Sequence, residues 1–403
     1  MVGAGQSGYV AATTLRKLDP DRQITVFGDE AHPPYERPPL SKDVLLDGAA
    51  GLPAFLPGNE YAARDISLVT GVRVQRIDPA ARAVILADDT AHRYDTLVLT
   101  TGSRPFTLAF EGAEHVRYLR SFDDALAIRA ALDRGARLLC IGAGVIGLEL
   151  AASARKRGAE VTVVEAGDTA MARSLPAPEA RFLQSLHEQQ GVRFRFGTTV
   201  TEIAPKDTAD GGPLVAQLSD GGRIEADLVV AGVGVLRNDE LARESGLAVD
   251  RGILVDEFGR TSDPAIYSAG DAAAFWHPTM GRRLRLESWH HALEHASSVA
   301  RGMLDGTTAY APVPRFWTDQ HGLNIQVVGE HAKAASVVVE GSREDRRYSA
   351  IYLDADERIV CAVCVNDARR IRPLLKSIAT QERASAEMAG NGRRLRAFDY
   401  SLV

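Results

Sequence analysis

The stretch from residue 138 to residue 149 is the feature that most constrains the fold. An apolar run ends in a turn with the spacing Gly-x-Gly-x-x-Gly, and an alanine-rich helical segment follows. The glycines of this turn are Gly142, Gly144 and Gly147. In such a turn they permit a tight bend, close approach of a pyrophosphate, and packing of helix on strand. A second strand, 161–164, ends on Glu165, which is placed to accept hydrogen bonds from a ribose hydroxyl. The segment therefore predicts a dinucleotide-binding unit.

The same motif opens the chain. Gly3, Gly5 and Gly8 have the same spacing, a helical segment runs to Lys17, and a strand covers 23–27. Asp29 or Glu30 would be the ribose acid, and Asp29 is predicted because it comes first after the strand. Two such units predict two dinucleotides, and the economical pair is a flavin with a nicotinamide. The pattern indicates a redox enzyme.

The first unit begins unusually close to the start of the sequence. A buried strand of about five residues is expected before the glycine turn, yet only Met1 and Val2 precede Gly3. Either the first strand is cut short or the sequence starts inside a longer reading frame. We expect the second, since a sheet lacking its central strand would leave an apolar slot.

The order of strands predicts how the domains are arranged. The buried strand 96–100 is followed by Thr101 and Gly102, and the strand 228–231 is likewise followed by a glycine-containing turn with Gly232 and Gly234. We predict an α/β fold with two doubly wound, Rossmann-like domains and a meander near 193–196, 214–218 and 224–227. The NAD-binding domain (109–231) would be inserted in the FAD-binding domain (1–108 and 232–310). A C-terminal α+β domain (311–403) would carry alternating strands, a helix near 367–378 and a polar tail.

Composition excludes several classes of protein. The chain of 403 residues is 45% hydrophobic and 25% charged, and no apolar run reaches the roughly 18 residues of a membrane span. The formal net charge of −6 weakly disfavours nucleic acid as a partner. Three cysteines and no recognisable signal peptide favour a reducing cytoplasm.

Two sequence patterns resemble sites but carry little weight. Cys361 and Cys364 have the spacing of a redox dithiol, but in a strand positions three apart point to opposite faces. His291 and His295 lie one helical turn apart, yet no third ligand accompanies them. We therefore expect no metal and no working dithiol, and we expect the histidine helix to line the flavin.

Five segments together resemble one known family. Besides the two glycine turns, these are Arg-Pro-Pro-Leu-Ser-Lys at 37–42, Ala-Gly-Asp at 269–271 and Trp-Thr-Asp-Gln at 317–320. They resemble the FAD-dependent ferredoxin reductase components of Rieske-type aromatic-ring dioxygenase systems. Biphenyl dioxygenase ferredoxin reductase and putidaredoxin reductase typify that family. The resemblance implies FAD, NADH and a [2Fe–2S] ferredoxin as electron acceptor. For the chain itself we expect a monomer or weak homo-oligomer. It also implies hydride transfer from NADH to FAD, then single electrons to the ferredoxin.

The resemblance also implies a set of site residues. Those implied to bind FAD are Gly3, Ala4, Gly5, Gly8, Asp29, Arg37, Lys42, Val74, Thr101, Gly102, Arg120, Gly270, Asp271 and Trp289. Those implied to bind NADH are Gly142, Gly144, Val145, Ile146, Gly147, Glu165, Gly232 and Gly234. Lys42 and Glu149 would lie near the reacting rings, Lys42 stabilising the reduced flavin while paired with a carboxylate. Glu165 predicts a preference for NADH, because its carboxylate would repel the 2′-phosphate of NADPH.

Other activities of the same architecture stay open. A rubredoxin reductase or an oxygen-reducing NADH oxidase would use the same residues. A disulfide reductase is disfavoured because no cysteine precedes Cys140. A protein resembling apoptosis-inducing factor shares the Pro-Pro-Leu-Ser-Lys loop, but the isoelectric point near 6.0 argues against nucleic-acid binding. Arginines at 282, 283, 285, 369, 370 and 372 are candidates for steering an acidic ferredoxin.

Overall fold

The computed structural model describes residues 1–206, 212–306 and 309–384, and the backbone of 393–396. These residues form two compact units. The first unit contains 1–36, 52–104 and 235–312, and the second contains 37–51, 105–234 and 313–403. Of the predicted polar tail, residues 385–392 and 397–403 lie outside the described residues.

The secondary structure follows the predicted alternation of strands and helices. The helices are α1 Gln6–Leu18, α2 Asp43–Leu46, α3 Asn59–Ala62, α4 Phe122–Asp133, α5 Val145–Lys156, α6 Ala177–Gln189, α7 Glu240–Glu244, α8 Trp289–Asp305 and α9 Ile371–Ala379. Short 3₁₀ turns cover Pro38–Ser41, Ala113–His115, Gly270–Ala272, His331–Lys333 and Ala368–Arg370. No described helix is long and apolar enough to cross a bilayer.

The strands fall into three consecutive stretches of the chain. The first has β1 Ile24–Phe27, β2 Ile66–Val69, β3 Val74–Asp78, β4 Ala83–Leu86, β5 Ala91–Arg93, β6 Leu97–Leu99 and β7 Ser103–Pro105. The second has β8 Val116–Tyr118, β9 Leu138–Ile141, β10 Val161–Glu165, β11 Val192–Phe196, β12 Val200–Pro205, β13 Leu214–Leu218, β14 Arg223–Ala226 and β15 Leu228–Ala231. The third has β16 Val235–Arg237, β17 Ile253–Val255, β18 Ile266–Ser268, β19 Ala273–His277, β20 Arg282–Leu284, β21 Arg315–Gln320, β22 Leu323–Gly329, β23 Ser336–Ser342, β24 Arg347–Leu353, β25 Ile359–Val365 and β26 Arg393–Arg396.

In the first unit, Val2 takes the central position of a parallel sheet. Its backbone bridges Phe27 of β1 on one side and Leu99 of β6 on the other, both in parallel. β2 pairs with β1, and β18 pairs with β6, also in parallel. Val2 is buried at this position. Antiparallel strands β3, β4 and β5 form a separate layer.

The second unit contains a five-stranded parallel sheet in the order β11-β10-β9-β15-β8. Beside it, β12, β13 and β14 form an antiparallel meander whose apolar residues join one core with the sheet. The prediction that 193–196 belongs to the meander is wrong. Those residues lie in β11, which pairs in parallel with β10, and the missing meander strand is β12.

A further sheet of this unit is antiparallel, in the order β21-β22-β25-β24-β23-β26. Ile371 and Leu374 of α9 pack on it in one core with Cys364 of β25. Cys361 and Cys364 both lie in β25, in agreement with the predicted strand, and both are buried. The observed sheets match the predicted α/β fold class, while the proposed domain boundaries stay a prediction.

Candidate active site

The turn between β9 and α5 contains one glycine that packing requires and another that has open space where a side chain would lie. Gly142 has a φ of +97°, and a Cβ there would lie 2.7 Å from the carbonyl oxygen of Gly232. Gly144 is the N-cap of α5 with extended backbone, and a Cβ there would come no closer than 3.6 Å to that oxygen. Protein packing therefore explains Gly142 but not Gly144. The space at Gly144, beside uncapped helix N–H groups, suits a phosphate group.

Glu165 ends β10 and is fixed against this turn. Its Oε2 accepts from the backbone N–H of Ala143 at 2.7 Å, and its Oε1 accepts from that of Gly167 at 2.8 Å. Each carboxylate oxygen retains acceptor capacity for a further donor such as a ribose hydroxyl. The role of Glu165 as acceptor from a ribose hydroxyl stays a prediction.

The remaining predicted NADH residues surround the same turn. A Cβ on Gly147 would lie 2.2 Å from the carbonyl oxygen of Gly142, so the third glycine is required by packing of helix on strand. Val145 and Ile146 form the first turn of α5, and the Ile146 side chain is 41% exposed. Gly232 and Gly234 follow β15.

The first unit repeats the arrangement at the start of α1. Gly3 has a φ of +110°, and its Cβ would lie 2.2 Å from the carbonyl oxygen of Thr100. Gly5 is the uncapped N-cap of α1, and a Cβ there would meet no described atom within 4 Å. Ala4 lies between them, and a Cβ on Gly8 would clash with the carbonyl oxygen of Gly3. Both units thus offer the same open position for a pyrophosphate.

After β1, the two candidate ribose acids have different surroundings. Asp29 is exposed, whereas Glu30 accepts a hydrogen bond from the hydroxyl of Tyr35. The choice of Asp29 stays a prediction.

The turn Gly270–Ala272 carries Asp271 and is held by two histidines of α8. Asp271 accepts from the hydroxyl of Ser103 at 2.9 Å. The Nδ1 of His295 lies 3.2 Å from the backbone N–H of Gly270, and the Nε2 of His291 lies 3.3 Å from its carbonyl oxygen. Burial lowers the pKa of His291 to about 4 and that of His295 well below its usual value. These neutral imidazoles therefore clamp the turn.

The one-turn spacing of the two clamping histidines also raises the question of metal binding. Among the residues that the structure describes, no group of three histidine, cysteine, aspartate or glutamate side chains could hold a metal ion. The sequence showed the spacing of His291 and His295 but not their target, because Gly270 is more than twenty residues away. Their contacts with the backbone of Gly270 were not predicted from the sequence.

Other residues predicted to bind FAD lie in the first unit. Thr101 donates through Oγ1 to the carbonyl of Asn238 at 2.6 Å, and Asn238 donates back to the Thr101 carbonyl at 2.8 Å. Gly102 accepts from the backbone N–H of Asn238. The Trp289 carbonyl, at the start of α8, accepts from Gln6 Nε2 at 3.0 Å, and Val74 is buried in β3.

Arg37, Lys42 and Arg120 lie in the second unit. The Arg37 guanidinium donates to the carbonyl of Arg120. The short α2 follows Lys42, and Arg129 of α4 donates to the carbonyl of Val44 at 2.9 Å. The proline-rich loop is thereby fixed within this unit.

Lys42 pairs with Glu149, a buried carboxylate on α5. The distance from Lys42 Nζ to Glu149 Oε2 is 2.9 Å, and the Glu149 side chain is 3% exposed. Glu149 Oε2 also accepts from the Ser41 hydroxyl at 2.5 Å, and Oε1 from the Thr318 hydroxyl at 2.7 Å. The Lys42 ammonium can only donate, so it forms an ion pair with the Glu149 carboxylate, and the two hydroxyl contacts help to hold that carboxylate in one orientation. The structure thus supplies the carboxylate that the resemblance implied for Lys42.

Family models cover most of the chain. One described as pyridine nucleotide-disulphide oxidoreductase matches residues 1–296, and one described as reductase C-terminal matches residues 315–398. The Burkholderia cepacia anthranilate 1,2-dioxygenase system ferredoxin–NAD(+) reductase component is 39% identical, over 94% of this chain and 93% of that protein. The p-cumate 2,3-dioxygenase system counterpart of Pseudomonas putida is 36% identical, over 92% and 90%.

Two solved structures are also similar. The ferredoxin reductase for the CYP199A2 system of Rhodopseudomonas palustris has a TM-score of 0.89 and 36% identity, over 96% of this chain and 95% of that one. A covalent putidaredoxin reductase–putidaredoxin complex has a TM-score of 0.88 and 35% identity, over 94% and 92%.

Proposed function

The chain belongs to the pyridine nucleotide-disulphide oxidoreductase family, and on that premise we propose that it is an FAD-dependent NADH:ferredoxin reductase. Its ferredoxin would carry a [2Fe–2S] cluster and deliver single electrons to a Rieske-type oxygenase of aromatic catabolism. The two relatives that are ferredoxin–NAD(+) reductase components of dioxygenase systems support this function.

The observation that carries the proposal is the repeated open glycine. In both turns, a Cβ on the first glycine would collide with a neighbouring carbonyl oxygen. The second glycine, Gly5 or Gly144, has space for a Cβ. Each lies at the uncapped N-terminus of a long helix. The residues therefore fit two dinucleotides. A bound flavin would supply the exchange between two-electron and one-electron transfer.

Within this function, Glu165 selects the nicotinamide nucleotide. Its two oxygens are held by the backbone of Ala143 and Gly167, so the carboxylate cannot swing away without losing both hydrogen bonds. A 2′-phosphate at this position would face a fixed negative charge. NADH is therefore the expected donor.

Lys42 supplies a fixed positive charge. Its ammonium is held by Glu149 Oε2 and by the carbonyl oxygen of Pro38 at 3.2 Å, and its side chain is 18% exposed. Because a partly buried cation is weakly screened, it would stabilise negative charge that develops on a reduced ring nearby. We assign this stabilisation to Lys42 and the orientation of Lys42 to Glu149.

The ferredoxin is expected to approach through arginine-rich surface. Some of the candidate arginines have other bonds: Arg283 donates to the carbonyls of Val255 and Ala274, and Arg370 pairs with Glu340. Arg369 and Arg372 are exposed near the start of α9. We expect them to raise the association rate with an acidic ferredoxin, more at low than at high salt.

Reduction of cytochrome c by the purified protein tests the proposal. We expect NADH to support it, a [2Fe–2S] ferredoxin to stimulate it strongly, and NADPH to substitute poorly. Flavin bleaching by NADH without any ferredoxin effect would contradict the ferredoxin assignment and favour rubredoxin or oxygen as acceptor. The cytoplasmic location and the monomeric or weakly oligomeric state stay predictions.

A further inference from the structure

A chain of hydrogen bonds extends from Glu149 away from Lys42. Thr318 Oγ1 lies 2.7 Å from Glu149 Oε1, and Gln320 Nε2 lies 2.8 Å from that Thr318 oxygen. Gln320 Oε1 lies 2.7 Å from His187 Nε2, and His187 Nδ1 lies 3.1 Å from His321 Nε2. All of these residues lie in the second unit.

The carboxylate fixes the direction of every bond in the chain. Glu149 can only accept, so the Thr318 hydroxyl donates to it and must accept from the amide N–H of Gln320. The amide oxygen of Gln320 then faces His187, which must carry its proton on Nε2. The Nδ1 of His187 is consequently an acceptor, and His321 donates to it.

Burial keeps this direction stable near neutral pH. Thr318, Gln320 and His187 are each no more than 1% exposed. Burial lowers the pKa of His187 to about 4, and it lowers that of His321 to about 4 with help from Arg155 and Arg346. Both imidazoles are therefore neutral, and each can donate and accept once.

The chain does not conduct protons. A carboxamide neither releases nor takes up a proton readily, so Gln320 interrupts any relay between His187 and Glu149. What the chain can do is restrict rotation. With Thr318 committed as donor, Glu149 Oε1 is held and Oε2 remains directed at Lys42.

We propose that Gln320 and His187 are positioning residues for the Lys42–Glu149 pair. They act through Thr318 and set the orientation of the Lys42 ammonium, and hence its stabilisation of reduced flavin. This inference rests on the proposed function, because it takes the Lys42 charge to act on the flavin.

The test compares His187→Phe with His187→Gln in the flavin-loaded protein, without ferredoxin. Gln can place an N–H near the position of Nε2, whereas Phe cannot donate. For His187→Phe we expect flavin reduction by NADH to slow about tenfold, as about 1.4 kcal/mol of lost orientation implies, with an unchanged KM for NADH. The flavin midpoint potential should become more negative. His187→Gln should restore most of the rate and the potential.

A measurement independent of activity checks the donor order. In the histidine-labelled protein, ¹⁵N NMR should show His187 protonated at Nε2 and bare at Nδ1 at pH 7. An Nδ1–H tautomer would overturn the proposal.

The outcomes separate the inference from the proposed function. If the wild-type flavin is not reduced by NADH, the proposed function fails. If it is reduced but His187→Phe matches it in rate and potential, or His187→Gln falls equally far, the positioning role fails. Should His187→Phe not fold, Gln320→Met takes its place, and a wild-type rate and potential in that variant refute the proposal.

Discussion

Replacing two glycines of the NADH turn separates their roles. Gly142→Ala places a Cβ at a φ of +97° and 2.7 Å from the carbonyl oxygen of Gly232. The left-handed backbone costs about 1–2 kcal/mol, and the enforced shift adds about 1–3 kcal/mol. We therefore expect Gly142→Ala to lower the free energy of unfolding by about 2–5 kcal/mol.

Gly144→Ala should behave in the opposite way. Its backbone is extended, and the new methyl group would make only an ordinary contact at 3.6 Å. Alanine is a less favourable N-cap than glycine, which lowers the free energy of unfolding, but it also reduces the conformational entropy of the unfolded chain, which raises it. Each effect is within about 1 kcal/mol, so the two nearly cancel. The methyl group fills the space assigned to the pyrophosphate, so we expect the Kd for NADH to rise at least about tenfold.

Gly158 provides the matched control. It has a φ of +86°, and an added Cβ would have no described atom within 4 Å. Gly158→Ala therefore reports backbone strain alone, about 1–2 kcal/mol, without loss of NADH binding. Urea unfolding followed by circular dichroism, and NADH titration followed by flavin fluorescence, measure the two effects. If Gly144→Ala unfolded as easily as Gly142→Ala while still binding NADH normally, the reasoning would be refuted.

Three further predictions follow from described side chains. Glu165→Gln should raise kcat/KM for NADPH relative to NADH about tenfold, because a repelling charge is removed; steady-state rates with both nucleotides would show it. Because burial lowers the pKa of His187 and His291 to about 4, the unfolded chain binds more protons between about pH 6.5 and 4. Stability should therefore fall as pH falls through that window, on the order of 3 kcal/mol per histidine, in urea titrations at several pH values. Burial raises the pKa of Cys364 to about 11 and that of Cys361 further, so neither thiol should react quickly with a thiol reagent until the protein is unfolded.

Sequence patterns predicted the helices and strands whose structure depends on residues close together in the chain. The predicted helical segment that runs to Lys17 is α1, which ends at Leu18, and the predicted strand 228–231 is β15. The end of β10 at Glu165 could be predicted because the distance along the chain from glycine turn to strand end is fixed by the length of one helix and one strand.

The misassigned strand has a physical explanation. Residues 192–196 alternate between buried or half-buried and exposed positions. This is the pattern of an antiparallel strand with one solvent-exposed face. β11 is an edge strand of a parallel sheet, so it is also incompletely covered and shows the same alternation. Sequence periodicity does not distinguish the two cases.

Contacts over long sequence distances were beyond sequence reasoning. Thr318 meets Glu149 across 169 residues, and Gln320 meets His187 across 133. Nothing in the Trp-Thr-Asp-Gln segment alone indicates that its threonine and glutamine are directed at a carboxylate and an imidazole. Their partners become visible only when β21 lies against α5 and α6.

Helix α5 begins at the predicted nucleotide-binding turn and also carries Glu149, which pairs with Lys42, so a change of cofactor preference can affect both. Its first turn follows Gly144, while Glu149 and Ser153 further along hold Lys42 and the carbonyl oxygen of Ser41. Glu149 is only about 7.5 Å along the axis from Gly144, at about 1.5 Å per residue. A redesign that tilts or rotates α5 to accept a different nucleotide would also displace the Lys42 ammonium. Variants selected for altered nucleotide use should therefore be screened for flavin potential as well as for affinity.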